Sequence, residues 1–140
     1  YTNSIEKRLF KMDKHVTKLL EKQIWHLGTY GREPNVVPVL FKAVTEDGKL
    51  LVGDVFLETT LQNLQQNGKI AVSVCDTETL EGYQIKGHAQ HFAEGPIVEK
   101  FKTMVQEAFK GTITAKGALV ITPEQIIVTT PGPNNKKIVE

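Results

Sequence analysis

The residues of this sequence best suited to chemistry are two threonines, Thr59 and Thr60, at the predicted start of a helix. A helix start offers backbone N–H groups without intrahelical partners, together with the positive end of the helix dipole. Hydroxyl groups added there would complete a site that suits a phosphate. The alternative is that one threonine simply caps the helix, and the local sequence by itself favours that interpretation because threonine is a common N-cap residue.

The four histidines do not form a metal-binding pattern. His88 and His91 are three residues apart in a predicted strand, so their side chains should point to opposite faces of the sheet. His15 and His26 fall on two other predicted elements. With one cysteine in the chain and no HExxH arrangement, we predict no metal site.

No catalytic residue can be assigned from the sequence. There is no GxSxG elbow, no evident pair of nucleophile and base, and no GxGxxG after a strand, so a Rossmann dinucleotide site is not indicated. The carboxylates of Glu46, Asp47, Glu58 and Glu81 lie in predicted turns or loops, where exposure to solvent is the default explanation.

The two threonines belong to a segment, residues 34–67, that reads as strand, turn, strand, loop and helix. A valine-rich strand containing Pro38 is predicted over 35–44, and a turn ending in Gly48 leads to a return strand over 49–52. Gly53 and Asp54 end that strand. The helix that follows has Leu61 and Leu64 at a helical spacing, which we interpret as its core-facing side.

The remaining elements are connected mostly by short turns, which favours an antiparallel sheet over an alternating parallel one. Closing such a sheet into a barrel would remove its exposed edges. We therefore predict a mainly β fold, a small antiparallel barrel of about six strands with two or three peripheral helices. Helices are predicted over 13–22 and from Gly95-Pro96 onward, and further strands over 24–30, 69–76, 82–93 with a bulge or bend at Gly87, 117–121 and 125–130.

Length and charge restrict the possible functions. A chain of 140 residues with a formal net charge of +1 fits one domain and lacks the basic excess of most nucleic-acid binders. No apolar run reaches the length of a membrane helix, and no signal peptide is evident. Cys75 follows the apolar run 70–74, which predicts a buried, inert thiol. Together these features predict a cytoplasmic protein.

The first residues are polar and are not expected to join the core. We interpret residues 1–12 as an N-terminal extension or a remnant added to the natural chain, and residues 13–140 as a single domain. Met12 is the alternative natural start. The sequence does not decide between these interpretations.

A phosphate-sized site beside a valine-rich strand pair would suit a ligand that combines a flat apolar ring system with one phosphate. Riboflavin phosphate fits this description, although the residues alone do not select it.

Five segments in order closely resemble the FMN-binding split-barrel family related to pyridoxamine 5′-phosphate oxidase. They include PNVVPVLFKAV, EDGKLLVGDVFLETTLQNL, KIAVSVCD and EGYQIKGHAQHFAEGP, and the resemblance runs from about Asp13 to Pro133. It is closest to the small single-domain members. It implies a split barrel, a homodimer with one FMN at each of two sites on the subunit interface, and oxidoreductase activity on an unknown substrate. The alternative is a non-catalytic module that binds, stores or senses a small cofactor.

The resemblance also implies which residues meet the cofactor. The flavin ring would lie along one strand and against a second wall, and the phosphate would lie at the helix start. The residues so implied are Val37, Pro38, Val39 and Leu40 for the strand, Gly53, Asp54 and Val55 for the wall, and Glu58, Thr59 and Thr60 for the phosphate.

Two positions depart from the family pattern, and a third matches a functional lysine of the full oxidase. The family commonly has lysine where this chain has Thr59, and a basic or small residue where it has Glu58. Lys42 matches a lysine that contacts the substrate phosphate in the full oxidase. The basic and tyrosyl partners expected on the helix after Gly95 are missing, so oxidation of pyridoxamine phosphate itself is not expected.

Overall fold

The computed structural model describes residues 12–139, which contain three helices and seven strands. The chain order is α1, β1–β4, α2, β5, β6, α3 and β7. The helices are α1 (Lys14–Lys22), α2 (Thr59–Asn67) and α3 (Pro96–Phe109). The strands are β1 (Trp25–Thr29), β2 (Asn35–Val39), β3 (Lys42–Val44), β4 (Leu50–Asp54), β5 (Lys69–Cys75), β6 (Gly82–Phe92) and β7 (Gly117–Val128).

All seven strands form one sheet in the order β2-β1-β5-β6-β7-β4-β3, and every pairing is antiparallel. β2 and β3 lie at opposite edges of this sheet, yet only Leu40 and Phe41 separate them along the chain. Since consecutive Cα atoms are about 3.8 Å apart, the two edges approach within roughly 11 Å at this point. The sheet therefore curls into a half-barrel, and the predicted antiparallel split barrel is confirmed.

The prediction of one continuous strand over 35–44 is wrong. β2 pairs with β1, whereas β3 pairs with β4, and the chain changes sheet edge at Leu40 and Phe41. Valine-rich sequence favours strand on both sides of this corner and carries no signal for the change of partner. The predicted turn at residues 45–48 is present, with Gly48 at a φ of 82°.

The two predicted closing strands are one strand, β7, so that prediction is also wrong. A register shift between Lys86 and Gly87 places Glu124 as an extra residue in β7, and pairing continues on both sides of it. The bulge lets the proline-containing segment 122–124 stay in the strand. The bulge expected at Gly87 is confirmed by this register shift. The backbones approach so closely there that a Cβ on residue 87 would lie 2.1 Å from the Thr122 carbonyl oxygen.

Two apolar clusters stabilise the fold. The first fills the concave side of the sheet, where α1 contributes Val16, Leu19 and Leu20. The second lies between the convex side and α3, and it includes Val98, Phe101 and Val105 of α3 with Leu51 and Ala118 of the sheet. α1 begins after Asp13, whose side chain accepts the His15 N–H at 2.8 Å, as a helix N-cap should.

Cys75 is exposed, so the predicted buried thiol is wrong. Along β5 the side chains of Ile70, Val72 and Val74 face the core, and strict alternation then turns Cys75 outward. The polar residues Lys69 and Ser73 lie on the same outward face as Cys75, so the alternation of the run, rather than its apolar character, carries this signal.

The predicted N-terminal extension lies outside the described residues, apart from Met12. Within residues 12–139, none of the helices has both the length and the apolar character needed to cross a membrane.

Replacing Gly87 by alanine should lower the free energy of unfolding by about 1–3 kcal/mol, because the new methyl group meets backbone that cannot move aside easily. Urea unfolding measures this change. Gly28→Ala is the matched control in β1, where the nearest atom to a new Cβ is 3.7 Å away and little change is expected. Equal stability of the two variants would contradict the close approach at Gly87.

Candidate functional site

The structure brings the three segments implied by the resemblance to one corner of the barrel. The Asn35 side chain at the start of β2 donates to the Thr60 hydroxyl at 3.1 Å. Just beyond the other end of β2, the Phe41 carbonyl accepts the N–H of Gly53 at 2.8 Å. β2 therefore spans the distance between the start of α2 and the end of β4, and we call this region the seam corner (residues 35–41, 53–55 and 58–61).

The start of α2 carries free backbone donors. Glu58 is the N-cap residue, and its side chain makes no capping hydrogen bond. The first helical bond runs from the Gln62 N–H to the Glu58 carbonyl, so the N–H groups of residues 59–61 have no acceptor within residues 12–139. The alternative that a threonine only caps the helix is wrong, since both threonines follow the cap. This arrangement suits an anion.

The two threonines have different environments. Thr60 is 1% exposed, and its hydroxyl accepts a hydrogen bond from the Asn35 amide while its own O–H is buried beside it. Thr59 is partly exposed at the first helical position. A ligand at the helix start would therefore meet the Thr59 side chain and the backbone N–H groups more readily than the Thr60 hydroxyl.

α2 is fixed by polar contacts as well as apolar ones. Its fully buried residues are Thr60 and Asn63, whereas Leu61 and Leu64, expected to face the core, pack against it while only partly buried. The Asn63 amide donates to the Thr29 hydroxyl at 3.2 Å and to the Glu33 carbonyl at 3.1 Å. These bonds hold the turn between β1 and β2 against the helix.

β2 presents an apolar outer surface at the edge of the sheet. Val36 and Leu40 are 67% and 66% exposed, and Pro38 is also exposed, whereas Val39 is buried and Val37 partly buried. Proline has no N–H to donate, which an edge strand tolerates.

The side chains of the second implied wall point into the protein. A Cβ on Gly53 would lie 2.8 Å from the Phe101 ring, so the glycine is explained by the packing of α3. Val55 packs against the second apolar cluster, which lies between the sheet and α3, and Asp54 is fully buried. Gly53 and Asp54 therefore offer no side chain to a ligand, and the Gly53 N–H and the Asp54 carbonyl are already engaged by Phe41 and Lys116. Phe56, the next residue, is 76% exposed.

The buried carboxylate of Asp54 organises the loop between β4 and α2. Its Oδ1 accepts the Leu57 N–H at 3.1 Å, and its Oδ2 lies 2.9 Å from Nε2 of His91. Lys116 Nζ lies 3.9 Å from Oδ1 and donates to the Leu57 carbonyl at 2.9 Å. Both backbone groups of Leu57 are thus held one residue before the N-cap of α2.

The bond between His91 and Asp54 crosses an intervening strand. Asp54 pairs with Gly117 of β7, and His91 on β6 reaches over this glycine. A Cβ on Gly117 would lie 2.5 Å from His91 Nε2, so only glycine leaves room for the bond. His91 and Lys116 were not among the predicted site residues, because their contacts depend on a three-strand register that local sequence does not encode.

The side-chain contacts of Lys42 are with α1 and β1 and not with the start of α2. Its amino group donates to the Leu20 carbonyl at 2.9 Å, at the end of α1, and lies 5.2 Å from the centre of the Trp25 ring. Partial burial lowers the pKa of Lys42, and the Glu21 carboxylate opposes that shift. A role for Lys42 in binding a substrate phosphate stays a prediction, and it would require these contacts to break.

Comparisons with known proteins show which family and fold this chain resembles. A family model described as pyridoxamine 5′-phosphate oxidase matches residues 12–131. The uncharacterised protein MJ0282 of Methanocaldococcus jannaschii is 31% identical over 133 residues, which cover 92% of this chain and 88% of that protein.

Two solved structures share the fold. HupZ of Group A Streptococcus has a TM-score of 0.75 and 25% identity, with coverage of 88% of this chain and 98% of HupZ. An FMN-binding protein from Syntrophomonas wolfei subsp. wolfei also has a TM-score of 0.75, at 17% identity, with coverage of 93% of this chain and 92% of that one.

Replacing Lys42 by methionine should lower the free energy of unfolding by about 1–2 kcal/mol, because α1 loses a charged donor at its last carbonyls and Trp25 loses a cation. Thermal or urea unfolding measures the change. Lys86→Met, at an exposed position of β6, removes the same charge and should change stability little. Equal stability of the two variants would show that the Lys42 contacts do not hold α1.

Proposed function

The chain belongs to the pyridoxamine 5′-phosphate oxidase family, and on that premise we propose that it binds flavin mononucleotide and acts as an FMN-dependent oxidoreductase. The observation that carries this proposal is the free start of α2, where three backbone N–H groups lack acceptors within the described part of the chain. The substrate is unknown.

The residues at the seam corner fit the cofactor in three respects. The N–H groups of residues 59–61 would hold the phosphate, with the Thr59 hydroxyl beside them. The exposed outer surface of β2 and of the residue after it, formed by Val36, Pro38 and Leu40, would lie along the flavin ring. Backbone groups of Gly53 and Asp54 would form the second wall. The FMN-binding protein with the same fold supports this choice of ligand.

One residue at the corner disfavours the cofactor. The exposed Glu58 carboxylate directly precedes the helix, and it would repel a phosphate dianion that approaches the same amides. The proposal therefore predicts a weaker phosphate contact than a basic residue at this position would give.

We include a homodimer in the proposal. Val36, Leu40 and Phe56 are large apolar side chains that are more than half exposed around the seam corner. Exposed apolar groups of this kind commonly mark contact surfaces. A second copy of the chain would cover them and close the ring site from the other side.

FMN would supply the acceptance and release of electrons, and the protein would supply position and electrostatics. The start of α2 would orient the phosphate, and the apolar surface with its second copy would exclude water from the ring. No side chain is assigned to the reacting atoms. Oxidation of pyridoxamine phosphate is not part of the proposal.

The alternative is a module that binds FMN without turning over a substrate. Reduction of the bound flavin by a reduced nicotinamide, followed by repeated turnover with an added acceptor, would separate the enzyme from the carrier. We place either activity in the cytoplasm, because an exposed unpaired thiol such as Cys75 suits a reducing compartment.

FMN should bind the wild-type chain at least about tenfold more tightly than riboflavin, because the phosphate adds charge-assisted hydrogen bonds at α2. Quenching of flavin fluorescence measures both affinities. Riboflavin is the matched control because it has the same ring and lacks the phosphate. Equal affinities would mean that the phosphate makes no contact, and no binding of either ligand would refute the flavin proposal.

Thr59→Lys should tighten FMN binding about tenfold and leave riboflavin unchanged, because it adds a cation beside the phosphate. The same cation should lower the free energy of unfolding of the ligand-free chain by up to about 1 kcal/mol through the helix dipole. Gln65→Lys, an exposed position further along α2, is the control. If both variants gain equally, the effect is one of net charge, and residue 59 does not face the ligand.

A further inference from the structure

The proposed phosphate site lacks a cation on its own helix. The first turn of α2 is Thr-Thr-Leu-Gln, and the residue before it, Glu58, carries an exposed carboxylate. Backbone amides and a helix dipole would have to bind a dianion against that charge. A cation supplied by another element would remove this conflict.

Lys116 is the cation that the fold brings to this place. It immediately precedes β7, and its amino group donates to the carbonyl of Leu57 at 2.9 Å, two residues before Thr59. The backbone N–H of Lys116 donates to the Asp54 carbonyl at 2.8 Å, which fixes the backbone of Lys116 beside the loop between β4 and α2. The side chain is still 53% exposed.

The ammonium group of Lys116 uses only one of its N–H donors within residues 12–139. Of its three N–H groups, one binds the Leu57 carbonyl, and the Asp54 carboxylate at 3.9 Å is too distant for a hydrogen bond. The ammonium therefore keeps two N–H donors that have no acceptor among residues 12–139 while it stays bonded to Leu57.

We propose that Lys116 is the cationic residue of the phosphate site, and that Asp54 and His91 are positioning residues for it. This inference rests on the proposed function. The Asp54 carboxylate is fully buried and attracts the ammonium toward the loop, while His91 holds its other oxygen in place. Because Asp54 offsets part of the Lys116 charge, the gain in phosphate affinity is moderate.

The test uses Lys116→Gln in the full chain, since glutamine keeps an N–H donor for Leu57 and removes the charge. FMN affinity should fall about five- to tenfold, whereas riboflavin affinity should change by less than about twofold. Lys116→Arg should keep the preference for FMN within about twofold of wild type. Lys102→Gln, on α3, is the control for net charge and should change neither affinity.

His91→Gln tests the positioning role. It should lower the ratio of FMN to riboflavin affinity by about two- to threefold, less than the loss of the charge itself. His88→Gln, three residues away on the same strand and paired with Glu124, is the matched control. An unchanged ratio in His91→Gln would remove the positioning role.

The outcomes separate this inference from the function it rests on. A wild-type chain that does not prefer FMN to riboflavin would overturn both. A normal preference that survives in Lys116→Gln, or equal losses for FMN and riboflavin, would overturn the inference alone. If Lys116→Gln does not fold, NMR of the wild-type lysine side chains decides, because the Lys116 Hε signals should shift with FMN and stay unchanged with riboflavin.

Discussion

The structure depends on one constraint of connectivity: two residues, Leu40 and Phe41, join strands at the opposite edges of a seven-stranded sheet. A flat sheet cannot satisfy this connection, so the sheet must curl until its edges nearly meet. Curling creates the enclosed apolar cluster that α1 and α2 complete. It also places edge strand β2 beside the end of β4 and the start of α2, which is where the proposed ligand site lies.

Charge at this corner is arranged by groups that are far apart in sequence. The buried carboxylate of Asp54 holds the loop through Leu57, and its partners His91 and Lys116 come from two different strands. A buried carboxylate is costly unless it is paired and hydrogen-bonded, and here both oxygens have partners. The same contacts that satisfy Asp54 hold the start of α2, whose N–H groups have no acceptor among residues 12–139.

Features of the fold that depend on a local sequence pattern could be predicted. Features that depend on the register between strands could not. The helical spacing of α1 and α3 and the turn at Gly48 are local signals, and all three are confirmed. The change of sheet edge at Leu40 and the contact between Asp54 and His91 are not local, since the latter joins residues 37 positions apart across a third strand. The resemblance named residues that the structure brings to one corner, but it could not show that the Thr60 hydroxyl accepts a hydrogen bond from Asn35.

The central claim is that the backbone N–H groups at the start of α2 receive the phosphate of FMN. The most direct measurement is a ¹H–¹⁵N NMR titration of the chain with FMN. The amide signals of Thr59, Thr60 and Leu61 should shift most with FMN, and riboflavin should leave them nearly unchanged. Saturable binding of FMN with these three signals unmoved would contradict the central claim.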